Sequence, residues 1–251
     1  MSFKRYKVIL KTCGLYYLAG AVWILVIKYF YSQAGSDDLL WILTPTAWWV
    51  RTLGRLPFEY QSGLGYVNHA LRFVIAASCS GVQFMMILVA MLIFSFVHRL
   101  KTHIGRIGWL FGSLSASYVI TILVNSLRIL LAIYLPPLFT EAGLWNRFMT
   151  PERLHSMIGV VVYFSALLMV YGMVNNFFIF IGKSSDTTIE KTSYSLVAPL
   201  FWYLFIVLGL PFLNGAGIRN RQSFWEYALL IVAVCGGVMM VFGIIKKLRS
   251  I

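Results

Sequence analysis

The chain has 251 residues, of which 60% are hydrophobic and only 12% are charged, and its mean hydropathy is +0.80. Soluble domains carry about 25% charged residues, so this composition excludes an ordinary soluble domain and predicts an integral membrane protein. Twenty-one Lys and Arg against eight Asp and Glu give a net charge of +13. In so apolar a chain, we expect the basic residues to orient loops and to contact anionic membrane lipid rather than to bind nucleic acid.

Six apolar stretches approach the length of about 20 residues that a membrane helix needs. Each is bounded by charged residues, Gly or Pro, and together they cover Val8–Tyr29, Ala70–Val97, Trp109–Leu131, His155–Ile181, Leu196–Phe212 and Phe224–Ile245. The predicted fold is therefore an all-α polytopic membrane bundle, with one integral membrane domain over residues 1–251. The first stretch is too long for the apolar core of a signal peptide, so we expect it to remain as a membrane anchor.

The segment between the first two stretches is aromatic but interrupted. Trp41, Trp48 and Trp49 stand close to Pro45 and Arg51 in a run that is too broken to span a membrane. Such a composition is typical of an interfacial segment that lies on the membrane or caps the bundle.

The distribution of basic residues predicts the orientation of the chain. With the N-terminus in the cytoplasm, twelve of the 21 basic residues fall on the inner side, and every inner loop is short. Short loops are those to which the positive-inside rule applies. We therefore expect both termini to be cytoplasmic.

The stretch "AASCSGVQFMM", residues 76–86, places Cys79 about nine residues into the second predicted helix. At 1.5 Å per residue, the cysteine would lie roughly 14 Å below the outer end of that helix. Ser80 and Gly81 beside it permit close approach of another backbone. A single cysteine in a membrane helix is most often inert packing, and Cys13 and Cys235 are interpreted in that way. No cysteine pair has the spacing of a metal site, so we expect neither metal nor cofactor.

Two further segments carry polar residues near the outer ends of predicted helices. In "LVNSLRILLAIYLPP", Asn125 and Arg128 are three residues apart and share a helix face. Arg128 could extend to the headgroups or face a site inside the bundle, and both alternatives are open. In "TPERLHSMIG", Thr150 is a candidate N-cap and Pro151 suits the first helical position. His155 then falls at the start of the fourth predicted helix, where it could be interfacial or carry a proton.

The predicted topology puts Cys79, Arg128 and His155 on three helices but in one leaflet. A thiol needs a base to become a nucleophile, and acyl transfer needs a donor for the developing oxyanion. His155 and Arg128 have the chemistry for these two roles. We therefore expect a catalytic set of Cys79, Arg128 and His155, supported by Asn125, Ser80 and Gly81.

Three motifs, "SCSGVQF", "NSLR" and "RLHSMIG", occur in this order on the chain. In residues 60–180 the sequence resembles the exosortases and archaeosortases, which are polytopic membrane transpeptidases. The form "SCSGVQF" is most similar to the subgroup called exosortase K. One departure is Ala77, because many family members carry a glutamate at this position, two residues before the cysteine, and this leaves the substrate open.

The resemblance implies a membrane cysteine transpeptidase that cleaves the C-terminal sorting signal of secreted proteins through a thioester and transfers them to an acceptor. Its implied partners are secreted proteins whose C-terminus carries a short motif, a hydrophobic helix and a basic tail. The implied location is the inner (cytoplasmic) membrane of a prokaryotic cell, with the active site facing the exterior.

Two alternatives stay open at the level of sequence. In a small membrane transporter or assembly factor, Cys79 would be structural and Arg128 would line a polar path. Transporters tend to carry intramembrane charges near the midplane, whereas no acidic residue lies deep in any predicted span. In a plain intramembrane peptidase, the same site would act without a transfer step.

Overall fold

The computed structural model describes residues 3–144, 149–184, 196–215, 219 and 221–248. Over these residues the chain is an all-α bundle with one small sheet, which confirms the predicted fold class. Its helices are α1 (Phe3–Gln33), α2 (Leu40–Gly54), α3 (Val82–Phe96), α4 (His103–Glu141), α5 (Pro151–Ser184), α6 (Val197–Leu204), α7 (Leu210–Leu213) and α8 (Arg221–Leu248).

Five helical segments in the described part of the chain are long and apolar enough to cross a membrane. They correspond to α1, α3 with its flanking 3₁₀ turns, α4, α5 and α8. The predicted span Leu196–Phe212 is present as a shorter arm, in which a π-helical turn, Phe205–Gly209, joins α6 to α7. The protein is therefore a membrane-spanning bundle whose arm is shorter than its neighbours.

The second predicted span begins later than the sequence indicates. The prediction of a helix from Ala70 is wrong, because Phe73–Ile75 forms a strand, Ala77–Cys79 a 3₁₀ turn, and α3 begins only at Val82. An apolar run of this length does not by itself distinguish strand from helix. Here Gly81, with a φ of 76°, separates the turn from α3.

Three short strands form an antiparallel sheet at this end of the bundle, in the order β1 (Glu59–Gln61), β2 (Gly65–Asn68) and β3 (Phe73–Ile75). Asp37, in the α1–α2 linker, accepts hydrogen bonds from Tyr60 Oη at 3.0 Å, Ser62 Oγ at 2.8 Å and the Gly63 N–H at 2.8 Å. Ser36 Oγ accepts from the Ala77 N–H at 3.2 Å. The linker therefore holds both the sheet and the turn that carries Cys79.

The aromatic segment folds as α2 and covers one side of α4. Its buried face consists of Ile42, Leu43, Thr46, Ala47 and Val50. Two hydrogen bonds join the helices, from Tyr118 Oη to the Trp41 carbonyl at 2.7 Å and from Ser126 Oγ to the Thr46 carbonyl at 3.3 Å. Pro45 lies in the second turn of α2 and has no N–H to give to the Trp41 carbonyl, which accepts from Tyr118 instead.

α3 is the central helix, and α1, α4, α5 and α6 pack around it. The span that contains α3 is 78% buried, against 22% for the span of α1. On α4, Ser113, Ser117, Thr121 and Asn125 recur every four residues and are buried. Such a row of small and short polar side chains lets two helices approach closely, and it brings α4 against the start of α3. The site residues lie at this junction.

Candidate active site

Cys79 is the last residue of a 3₁₀ turn that immediately precedes α3. Its N–H donates to the Ala76 carbonyl at 2.8 Å, and the Ser80 N–H donates to the Ala77 carbonyl at 3.1 Å. The predicted position inside a regular helix, roughly 14 Å deep, is therefore replaced by a turn at the N-terminal end of α3. The positive end of a helix dipole favours negative charge at such a position.

Gly81 makes this turn possible for two reasons. Its φ of 76° lies in the left-handed region, which residues with a Cβ rarely adopt. A Cβ built on Gly81 would also lie 3.0 Å from Cγ of Asn125 and 3.1 Å from Cγ2 of Thr121. The glycine therefore allows the Cys79 turn to lie directly on α4.

Asn125 connects the cysteine turn to α5. Its side chain is fully buried, and Nδ2 donates to the Cys79 carbonyl at 2.6 Å. Its Oδ1 accepts from Tyr163 Oη at 2.7 Å. Ser80, also fully buried, has its Oγ 3.4 Å from the Val82 N–H. The two residues therefore fix the backbone on both sides of the Cys79 side chain.

Arg128 lies one turn beyond Asn125 and points into the bundle. Its Nη2 is 2.8 Å from Nε2 of His155, so the inward-facing alternative is the one observed. A guanidinium has donors only, and we therefore assign Nε2 as the acceptor and place the neutral ring's proton on Nδ1. His155 reaches this contact from the first turn of α5, where Thr150 Oγ1 accepts from the Arg153 N–H at 3.3 Å and confirms the predicted N-cap.

Arg128 also lies close enough to the Cys79 side chain and the Tyr163 hydroxyl to interact electrostatically with both. Its Cζ is 5.6 Å from the centroid of the Tyr163 ring. Its Nε is buried and has no hydrogen-bond partner among the described residues. Arg128 thus lies near both the cysteine and the histidine, and one of its buried N–H groups is unpaired among the described residues.

A cavity of about 160 Å³ lies beside the Cys79 turn, and Arg128, His155 and Tyr163 line it. Its wall includes Ser78, Gly81, Arg128, His155 and Tyr163. The space could admit a short length of extended peptide against the cysteine turn. The guanidinium of Arg128 is a group in this lining that could donate to a carbonyl oxygen in the cavity.

Tyr163 is the residue of the site that sequence reasoning missed. Its ring stacks on Phe84 of α3, with centroids 4.5 Å apart and an interplanar angle of 9°. A signal was present, because His155, Gly159 and Tyr163 are spaced by four and share one face of α5. A Cβ on Gly159 would lie 3.4 Å from Nε of Arg128, so the glycine leaves room for the arginine.

The other cysteines lie away from this site. Cys13 and Cys235 are buried in the apolar core that forms around α3. Within the described ranges, His, Cys, Asp and Glu side chains form no group of three or more that could hold a metal ion. The chemistry available here is that of a thiol, a guanidinium, an imidazole and a phenol.

Comparison with family models, curated proteins and solved structures gives no match to this chain. The resemblance to the exosortases and archaeosortases therefore depends on the three motifs alone. Each of those motifs contributes a side chain to the same cavity or to the turn beside it.

Proposed function

We propose that this protein is a membrane-embedded cysteine transpeptidase similar to the exosortases and archaeosortases. It would cleave the C-terminal sorting signal of secreted proteins at the outer face of a prokaryotic cytoplasmic membrane. The observation that carries the proposal is the position of Arg128, which contacts His155 and lies beside Cys79 although the three residues come from separate elements.

The first step is formation of the nucleophile. The Cys79 proton passes to Nε2 of His155, which becomes free to accept it when Arg128 turns from the histidine to the substrate. The N-terminus of α3 and the arginine both favour negative charge on the sulfur. Asn125 supports this step by holding the Cys79 backbone in place.

The thiolate then attacks the scissile carbonyl. The new C–S bond forms as the carbonyl electron pair moves onto oxygen, and the Arg128 N–H groups donate to that oxyanion. As the oxyanion collapses, the C–N bond breaks and the leaving amine takes the proton from His155. The product is a thioester between Cys79 and the new C-terminus of the substrate.

The acceptor resolves the thioester. An acceptor amine gives a proton to His155 and attacks the thioester carbonyl, so that an amide forms and the Cys79 sulfur leaves as thiolate. The sulfur then recovers the proton from His155, which returns the enzyme to its starting state. Attack by water in place of the amine gives hydrolysis.

Replacement of the cysteine in the native host tests this function. In cells whose chromosomal copy carries Cys79→Ala, we expect at least one secreted protein to accumulate with its C-terminal hydrophobic helix intact, as measured by quantitative mass spectrometry of C-terminal peptides. Cys235→Ala is the matched control, since it removes a buried thiol from the core, and it should leave processing unchanged. The proposed activity would be refuted if Cys79→Ala and wild-type cells gave identical C-terminal peptides while both forms of the protein were present in the membrane.

A further inference from the structure

The helices around α3 are packed against one another on most sides. α4 contacts α1 and α5, and α5 contacts α6. Between α1 and the α6–α7 arm, the described residues show no comparably close packing. The side of the bundle between these two elements is therefore the least closed.

A cavity of about 240 Å³ occupies this position, which we call the α1–α7 gap. Its facing walls are formed mainly by Lys28, Tyr31 and Ser32 of α1 and by Ile206, Leu210 and Asn214 of the arm. The spacings of three and four residues place each set on one helix face. The gap thus has two defined helical walls.

The α1–α7 gap adjoins the active-site cavity. Tyr31 and Gln83 line both spaces. Gln83 lies at the start of α3, four residues after Cys79. A chain that enters between α1 and α7 would therefore meet the cysteine turn from the side, without first leaving the apolar part of the bundle.

Lys28 gives the gap a chemical preference. It belongs to the apolar span of α1, is half-buried, and has no hydrogen bond or ion pair among the described residues. Lys28 lies five residues before the end of α1, and its unpaired cation on the wall of the gap attracts a carboxylate. The occupant of the gap is therefore expected to supply a negative charge.

The two walls of the gap differ in regularity. The α1 span is a regular helix that packs closely on α3, although only 22% of it is buried. In the opposite wall, Pro211 has no N–H to give to a helical partner, and the Leu210 N–H donates to the Phe205 carbonyl in a π-helical turn. Such turns recur at functional sites, where they interrupt a regular helix.

We propose that a membrane-anchored polypeptide reaches Cys79 sideways through the α1–α7 gap, with one of its carboxylates paired to Lys28. This inference rests on the proposed function and adds the route and the contact that guide the substrate. The residues that remain in the membrane occupy the gap, while the scissile bond lies in the cavity beside Arg128.

A second groove provides the control. A cavity of about 540 Å³ on the opposite flank of α1 is lined by Trp23, Trp41, Tyr118 and Val119, among others. It is larger and more apolar than the α1–α7 gap, but it shares no lining residue with the active-site cavity. If cavity size alone decided where the substrate binds, the substrate would be found there.

Site-specific photo-crosslinking in intact cells separates the two routes. The photoreactive amino acid p-benzoylphenylalanine is placed at Leu210 in the gap or at Val119 in the second groove, in the Cys79→Ala background that keeps the substrate uncleaved. We expect the Leu210 adduct to contain the same precursor that accumulates in Cys79→Ala cells, and the Val119 adduct to lack it. Lys28→Glu should lower the yield of the Leu210 adduct about tenfold, which corresponds to about 1.4 kcal/mol, whereas Lys28→Arg should preserve it.

The outcomes distinguish this inference from the proposed function. The route through the gap is refuted if the accumulated precursor crosslinks at Val119 instead of Leu210, or if it crosslinks equally well in Lys28→Glu. Either result leaves the proposed enzymatic function in place. Lipid as the only Leu210 adduct refutes it as well. The absence of any accumulated precursor refutes the proposed function, and the inference fails with it.

Discussion

At the scale of single residues, one polar chain runs from the cysteine turn through α4 to α5. Asn125 uses both ends of its amide in this chain, one toward the Cys79 carbonyl and one toward Tyr163. Arg128 makes the parallel connection to His155. Because these contacts join α4 to both the cysteine turn and α5, a single substitution should alter the position of more than one catalytic group.

Arg128 should be the most sensitive of the basic residues. Loss of an oxyanion donor costs about 10²–10³ in rate, so Arg128→Ala should reduce processing by this factor. Lys retains the charge without the planar fork, so Arg128→Lys should recover only part of the loss. Rates of precursor processing in membranes measure both effects.

Arg153→Ala is the matched control, since Arg153 forms an exposed ion pair with Glu226 at 3.7 Å. Exposed pairs of this kind contribute about 0–1 kcal/mol, so this variant should process normally. Wild-type processing by Arg128→Ala would exclude the oxyanion role.

Tyr163 should act as a positioning residue. Tyr163→Phe keeps the ring on Phe84 but leaves the buried Oδ1 of Asn125 without its donor, which costs about 1–3 kcal/mol. We expect Tyr163→Phe to lower the melting temperature and to slow processing. Because Tyr163 and Asn125 share one interaction, the effect of Tyr163→Phe should largely vanish in an Asn125→Ala background.

Tyr134→Phe provides the comparison, since the Tyr134 hydroxyl donates to the Gly54 carbonyl at the exposed surface. It removes the same hydroxyl group but lies outside the site. Equal effects of the two Tyr→Phe substitutions on processing would contradict a role for Tyr163.

At the scale of elements, the turn before α3 depends on glycine. Gly81→Ala should destabilise the protein by about 1–2 kcal/mol from the left-handed conformation alone, with an added cost from contact with Asn125. Gly112→Ala, on an open face of α4, should be neutral or stabilising. Thermal unfolding in detergent measures both, and equal stability of the two variants would show that the turn differs from the one described.

The attachment of the sheet to the α1–α2 linker should depend on pH. Hydrogen bonds from the Gly63 N–H, Ser62 and Tyr60 lower the pKa of Asp37 below its ordinary value of 3.8. Their contribution to stability is therefore complete above the ordinary value and is lost as the pH falls through the folded-state pKa. Asp37→Asn should melt at a lower temperature than the wild type at pH 7, and this difference should close with acidification.

The neighbouring Asp38 supplies the control for this prediction. Its carboxylate accepts from the Gly35 N–H at 2.9 Å, within its own linker. Asp38→Asn should therefore have a smaller effect on the sheet. A difference between Asp37→Asn and wild type that stays constant from pH 7 to pH 3 would contradict the account.

The elements also show which features the sequence can predict. Long apolar runs identified α1, α4, α5 and α8, because a helix in a membrane needs only length and composition. The strands Gly65–Asn68 and Phe73–Ile75 are too short for a pattern of alternation, and they are stabilised by pairing with one another. The apolar residues of the last strand were consequently assigned to the helix that follows.

At the scale of the whole molecule, the site could be predicted only in part. The order of the spans brings Cys79, Arg128 and His155 to one end of the bundle, and this follows from alternating helix directions. Whether Arg128 faces inward depends on the rotation of α4, which is fixed by packing against Gly81 and by the fit beside Gly159. These contacts join residues far apart in the chain, and no local pattern encodes them.

The most direct test of the account is chemical identification of an acyl group on Cys79. Membranes from cells that are actively processing precursor are quenched in acid, digested and examined by mass spectrometry for the peptide that contains Cys79. We expect a hydroxylamine-labile adduct whose mass matches the new C-terminus of the processed protein. The thioester mechanism would be contradicted if Cys79 were recovered solely as the free thiol while precursor was being converted at the wild-type rate. Survival of other thioesters in the same quenched sample is the control that makes this result meaningful.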